Sequence, residues 1–240
     1  TKINVRSNVK KEVLGDFNNI DWDDESWEFL KQQAIEGYSF AHLAFFYKFQ
    51  QNKATHLEAV EHLKSAICDK QNGYAFLCEG IARERGIGMR PNLRSAMKRY
   101  EEAYKIGVSE AYSYVAEMYL NGNSGVEIEK TKAITILEEG CSKNDARSYY
   151  VLAKFYSSDL RQTGHFEKAI ELYQKAASYK MYESWVALGK LYQDNIYINN
   201  RWNKAIECYF EAIKNGIKDG HAYIARLYWK QQRYEEAKNE

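Results

Sequence analysis

Leu152-Ala153-Lys154-Phe155-Tyr156 is one of several copies of a single word, and its recurrence decides the fold. The others are Leu43-Ala44-Phe45-Phe46-Tyr47, Val115-Ala116-Glu117-Met118-Tyr119, Leu188-Gly189-Lys190-Leu191-Tyr192 and Ile224-Ala225-Arg226-Leu227-Tyr228. Glu79-Gly80-Ile81-Ala82-Arg83 is a degenerate copy. The last position of the word falls at 47, 83, 119, 156, 192 and 228, in steps of 36, 36, 37, 36 and 36 residues. A fixed period of this length marks a repeat architecture. A second word, small-x-x-x-large-x-x-small, follows with a similar step: Ala59/Leu63/Ala66, Ala96/Tyr100/Ala103, Ala133/Leu137/Gly140, Ala169/Tyr173/Ala176 and Ala205/Tyr209/Ala212. Spacings of three and four put its members on one helical face. Each repeat therefore reads as helix A, a loop, then helix B. The small residues allow close approach of the axes, and the large residue fills the gap one turn away. Seven residues before the end of the first word stand Phe40, Phe76, Tyr112, Tyr149, Trp185 and His221, a column expected in the core between repeats.

Bulk properties agree. The chain has 240 residues and a single proline, Pro91, so almost nothing interrupts a helical backbone. Lys plus Arg (34) balances Asp plus Glu (33), which leaves no basic excess for nucleic acid. No apolar run approaches the roughly 20 residues of a membrane span. The four cysteines, Cys68, Cys78, Cys141 and Cys208, form no C-x-x-C pair. They read as free, small hydrophobes and suit a reducing, cytoplasmic compartment. A leader already removed would instead place the chain in the periplasm or outside the cell.

The small-x-x-Tyr of helix A, the Ala-x-x-x-Tyr-x-x-Ala of helix B, the step near 36 and a glycine after helix B (Gly107, Gly216) together resemble the Sel-one-like repeat (SLR) family, relatives of the tetratricopeptide repeats. The Gly-x-Gly loop of that family is matched by Arg85-Gly86-Ile87-Gly88 and, more loosely, by Asn121-Gly122-Asn123-Ser124-Gly125-Val126. The later loops, Ser157 to His165 and Gln193 to Arg201, depart from it. The resemblance implies an all-α fold: a right-handed α/α superhelical solenoid of about six two-helix repeats. It spans residues 37–240, preceded by an N-terminal segment and capping helix over 1–36. Asp23 or Asp24 is the expected N-cap of that helix, which runs through Trp27 and Leu30. Residues 1–20 read as extended. A sixth helix B is expected to open at Arg233-Tyr234-Glu235-Glu236-Ala237 and to stop short at Glu240, as if the parent protein continued. The family implies roles in signalling, quality control, secretion and host interaction, and includes neutralisers of bacterial toxins.

Residues for catalysis do not assemble. No two of His42, His56, His62, His165 and His221 stand at i, i+4, so no helical metal face forms. Gly86-Ile87-Gly88 lacks the Gly-Lys-Ser/Thr of a phosphate loop, and no Gly-x-Ser-x-Gly elbow exists. The reading is a non-enzymatic scaffold or adaptor with no cofactor and no metal, binding another protein or peptide through the helix A surface. Two alternatives are a dedicated inhibitor, such as an immunity protein against a toxin, and a regulatory or carbohydrate-binding module. For the last, only Trp229 falls near a surface register. Two residues before the end of the first word the column reads Phe45, Ile81, Glu117, Lys154, Lys190, Arg226. With Tyr38, Tyr74, Leu77 and Tyr150 from neighbouring columns, it suggests a groove that is apolar at its start and basic at its end. Such a groove would suit a partner with a hydrophobic part and an acidic or C-terminal carboxylate part.

Overall fold

The computed structural model describes residues 23–68, 72–122, 127–160, 162–195 and 198–231. The extended segment expected over residues 1–20, Trp22, the loop residues Asn123 to Val126 and the helix expected to open at Arg233 lie outside the described residues. The described residues form twelve α-helices and one short 3-10 turn, with no strand among them. The capping helix α1 (Asp24–Ile35) comes first. Helices A are α2 (Ser39–Phe49), α4 (Gly73–Arg85), α6 (Ala111–Asn121), α8 (Ala146–Ser157), α10 (Glu183–Asp194) and α12 (Asp219–Lys230). Helices B are α3 (His56–Ile67), α5 (Leu93–Ile106), α7 (Lys130–Ser142), α9 (His165–Ser178) and α11 (Arg201–Lys214). The solenoid expected over 37–240 is built as two compact units, Thr1–Lys130 and Thr131–Glu240. In the first, α1 packs on α2, α2 on α3, α4 on α5, and α5 on α6. In the second, α8 packs on α9, α9 on α10, α10 on α11, and α11 on α12.

Helices α5, α7, α9 and α11 stop the same way. A residue one or two positions past the helix turns left-handed, at Gly107 (φ 92°), Asn144 (60°), Lys180 (71°) and Gly216 (92°). The next amide then reaches back to the small residue of the helix B word: Val108 N–H to Ala103, Asp145 to Gly140, Met181 to Ala176 and Ile217 to Ala212, at 3.0–3.1 Å. This is the Schellman arrangement, which satisfies carbonyls that a helix end leaves orphaned. Helix α1 ends identically, with Gly37 at φ 86° and Tyr38 N–H bonded to Gln33. Asp23 is its N-cap, accepting from Ser26 N–H at 2.7 Å.

The two words meet where helix A crosses helix B. Ala44, Ala116, Ala153, Ala59, Ala96, Ala103, Ala133, Ala169, Ala176, Ala205 and Ala212 are all buried, as are Leu63, Tyr100, Leu137, Tyr173 and Tyr209. Opposite Tyr100 and Tyr209, helix A carries glycine: a Cβ on Gly80 would collide with the Tyr100 ring, and one on Gly189 would lie 2.5 Å from Tyr209 Cε1. Burying each tyrosine ring stabilises the fold by roughly 1.5–3 kcal/mol, provided its hydroxyl finds a partner. It does so in a recurring way. Tyr100 donates to Glu84 at 2.5 Å, Tyr209 to Gln193 at 3.3 Å, and Tyr173 lies 3.4 Å from the Ser157 hydroxyl. In every case the partner is the residue just after the helix A word.

In the first unit, the Gly-x-Gly loop docks on the preceding helix B. Ile87 is buried, and a Cβ on Gly88 would lie 2.7 Å from Val60 and 2.9 Å from the His56 carbonyl. The aromatic column is graded. Tyr112 is buried, Phe40, Phe76, Tyr149 and Trp185 are half-buried, and His221 is exposed.

Candidate functional site

In the second unit, three positive side chains stand at one register of three helices A. Lys154 on α8, Lys190 on α10 and Arg226 on α12 are all exposed. Their helices share core clusters: Ala153 packs with Leu188 and Leu191, and Val186 packs with Ile224 and Leu227. Lys190 Nζ sits 4.5 Å from the centre of the Tyr223 ring on α12, so α10 and α12 meet along this face. Tyr223 in turn stacks on Tyr209, centroids 5.2 Å apart. Burial and then the nearby Asp194 carboxylate push the Tyr209 hydroxyl up, and Arg226 pulls it back down. Asp194 and Arg226 are therefore both within electrostatic reach of that hydroxyl. Tyr150, one turn before Lys154, is half-buried edge-on against Tyr173. Trp229, three residues after Arg226, is 66% exposed. The face is thus an alternation of aromatic rings and cations.

Acidic residues occupy a different row. Glu183 and Asp219 lie in the first turns of α10 and α12, where carboxylates complement the helix dipole. They are seven residues before Lys190 and Arg226, about 10 Å along the helix.

The apolar end of the expected groove needs correcting. Phe45, Leu77 and Ile81 are only 3%, 3% and 6% exposed, so they belong to the core of the first unit and present nothing to a partner. The reason for Phe45 is α1: Trp27 packs edge-on against Phe45, centroids 5.2 Å apart, and covers the register that α8, α10 and α12 leave open. Tyr38 and Tyr74 sit elsewhere, at the helix A N-termini. There they line a cleft of about 600 Å³ with Phe40, Asn72, Ile106 and Val108. Tyr38 is 51% exposed, and the Tyr74 hydroxyl donates to Glu110 at 3.1 and 3.2 Å.

Two polar clusters were not visible in the sequence. His42 on α2 and His62 on α3 bring their Nδ1 atoms to 3.0 Å, and His62 stacks on Phe45 and Phe49. Burial lowers both pKa values, and for His62 the charge of His42 lowers it further. The pair is twenty residues apart, so no helical spacing announces it. The second cluster is Glu79, buried on α4. Arg83 donates to its Oε1 from Nε at 2.9 Å, and Arg99 Nε lies 2.7 Å from Oε2. Arg99 also bonds Glu102 at 2.6 Å. Two guanidinium groups neutralise this carboxylate and tie α4 to α5.

The thiols of Cys78, Cys141 and Cys208 are pushed up to about 12 by burial, so none is a thiolate near neutral pH. Among the described residues no cluster of three or more His, Cys, Asp or Glu could hold a metal ion. No described helix is long and apolar enough to cross a membrane.

No family model and no curated protein matches the chain. Solved structures do. A Sel1 repeat protein from Oxalobacter formigenes superposes with a TM-score of 0.63 at 22% identity, over 84% of each chain. A protective antigen of uropathogenic Escherichia coli with an SLR fold gives 0.60 at 21% identity, over 88% of this chain and 46% of that one. A sel1 repeat protein from Klebsiella pneumoniae gives 0.59 at 18% identity, over 82% of this chain and 97% of that one. The identities are low and the fold is common to all three: this chain folds as an all-α solenoid of Sel1-like repeats.

Proposed function

We propose that the chain is a protein-interaction module, without enzymatic activity of its own, that takes an acidic segment of a protein partner on the helix A face of its second unit. The observation that carries this reading is the exposed row Lys154, Lys190 and Arg226, one cation per repeat at one register. A row that served only solubility would not need a common register, and of the acidic residues of these helices Glu183 and Asp219 stand in the first turns, while Asp194 closes α10 one turn beyond Lys190. The repeat fold supports the reading, because stacked helix pairs present extended surfaces suited to binding.

The test is a pull-down from the source cells with three forms of the chain. These are the wild type, the variant Lys154→Glu/Lys190→Glu/Arg226→Glu, and a control with Lys168, Lys175 and Lys204 of helices B changed to Glu. Reversing three exposed charges is expected to weaken the complex by on the order of tenfold to a hundredfold. A partner held by the wild type and the control and lost by the row variant supports the reading. A partner that the row variant retains removes this face from the function.

A further inference from the structure

A second site lies in the first unit, apart from the cationic row, where α2 packs on α3 beside α1. His42 and His62 face one another there, with their Nδ1 atoms 3.0 Å and their ring centres 5.3 Å apart. They stand on two helices packed on one another, so the fold sets their spacing. His62 stacks on Phe45 at 4.8 Å and on Phe49 at 5.7 Å. His42 has a further hydrogen bond, to the Ala34 backbone of α1. An outer partner of that kind orients an imidazole that binds metal. Burial keeps both rings uncharged near neutral pH, the state a metal ligand needs.

Zinc takes imidazole nitrogens at about 2.0–2.1 Å in a tetrahedral arrangement. Two imidazoles on one such ion have nitrogens about 3.3 Å apart and ring centres about 5.2 Å apart. The centres of His42 and His62 already stand at that separation. Only the nitrogens differ, because they point straight at one another. A pivot of about 35° in each ring turns both toward a shared point about 2 Å away. The torsion that does this is broad for histidine, and its axis runs through the ring centre, so neither centre has to move. One of the facing nitrogens carries the proton of their hydrogen bond. Coordination breaks that hydrogen bond, moves the proton through solvent to the far nitrogen of the same ring, and forms two nitrogen–metal bonds, with no net proton released. Both rings are half-buried, so water reaches the other two positions. The Glu61 carboxylate, which favours positive charge on His62, favours the ion as well, and Lys48, over the Trp27 ring, opposes it. We propose that His42 and His62 bind a zinc ion through their Nδ1 atoms, tying α2 to α3 and, through the Ala34 backbone, to the capping helix α1.

The test uses the full chain without a polyhistidine tag, stripped of metal by a chelator. Zn²⁺ is titrated by calorimetry at about pH 7.5, where both rings are neutral. One ion per chain is expected. His42→Gln or His62→Gln should weaken binding at least about tenfold, while His221→Gln, at an exposed histidine, should leave it unchanged. Saturating Zn²⁺ should raise the Tm of the wild type by about 2–4 °C and leave that of the two site variants in place. A measurement on the wild type alone serves if a variant fails to fold. One equivalent of Zn²⁺ should shift the ring nitrogen signals of His42 and His62 in NMR spectra, with Nδ1 as the bound nitrogen. Binding that survives both substitutions overturns the site, and so do shifts confined to His56, His165 or His221, or ring signals that millimolar Zn²⁺ leaves unmoved.

Discussion

Single positions carry the geometry of the repeat. Gly80 and Gly189 are not helix breakers tolerated by chance, since the tyrosine rings of α5 and α11 occupy the space a methyl group would need. Gly80→Ala and Gly189→Ala should each cost about 1–3 kcal/mol in urea denaturation, although alanine is the better helix former. Pairing Gly80→Ala with Tyr100→Leu should recover part of that loss, and a strictly additive double variant would deny the ring contact. Lys180 makes the opposite case. It holds the left-handed turn that Gly107 and Gly216 hold in other repeats, at φ 71°, a conformation that costs an L-residue about 1–2 kcal/mol. Lys180→Gly should therefore stabilise the chain by about 0.5–1 kcal/mol, read as a rise in the urea midpoint. The small residues and the glycine after helix B were legible in the sequence because close packing and positive φ leave few alternatives. The hydroxyl partners of Tyr100, Tyr173 and Tyr209 were not, because Glu84, Ser157 and Gln193 share a position and not a residue type.

At the scale of elements, α1 explains where reading by register fails. Residues 1–36 contain neither word, so nothing in the repeat announces that Trp27 would cover the face of α2. A column that is surface on α8, α10 and α12 is core on α2 for that reason, and the apolar Ile81 at the same register of α4 is buried as well. Beneath Trp27 the His42–His62 pair makes this contact sensitive to pH. Both rings have pKa values below their ordinary 6.5 in the folded chain, through burial. His42 is helped back up by a hydrogen bond to the Ala34 backbone of α1, and His62 by the Glu61 carboxylate. Lys48, whose ammonium lies 4.7 Å over the Trp27 ring and whose own pKa burial lowers, adds positive charge to the same contact. Below about pH 6.5 the unfolded chain takes up protons that the folded pair resists. The contribution is full above that pH and is lost progressively as pH falls from 6.5 through the lowered folded values. Hydrogen-exchange protection factors of α1 and α2, corrected for the intrinsic rate at each pH, should fall between about pH 7 and 5.5, and the variant His42→Gln/His62→Gln should flatten that dependence. Protection in α1 that ignores pH in the wild type would show that the pair is not its clamp.

Across the whole molecule, sequence order and spatial order coincide, which is why the period of the sequence carries most of the architecture. Every well-populated helix contact joins helices one or two places apart in the chain, so a residue's register fixes its neighbours. The cationic row was legible on the same ground, whereas the cleft lined by Tyr38 and Tyr74 was not, because it depends on where the turns between repeats lie. The same nearest-neighbour order governs how damage spreads. In a repeat array, stability is approximately a sum of repeat and interface contributions, so a fault in one crossing loosens that repeat and those packed on it. Gly189→Ala forces apart α10 and α11, on which α9 and α12 pack. Amide exchange in these four helices should rise by about tenfold for each 1.4 kcal/mol lost, while α2 to α5, in the first unit, keep their protection. Peptide-resolved hydrogen exchange of the variant against the wild type checks this. A uniform rise from α2 to α12 would mean that the chain opens only as one block, and local repair such as Lys180→Gly would then stabilise every helix equally.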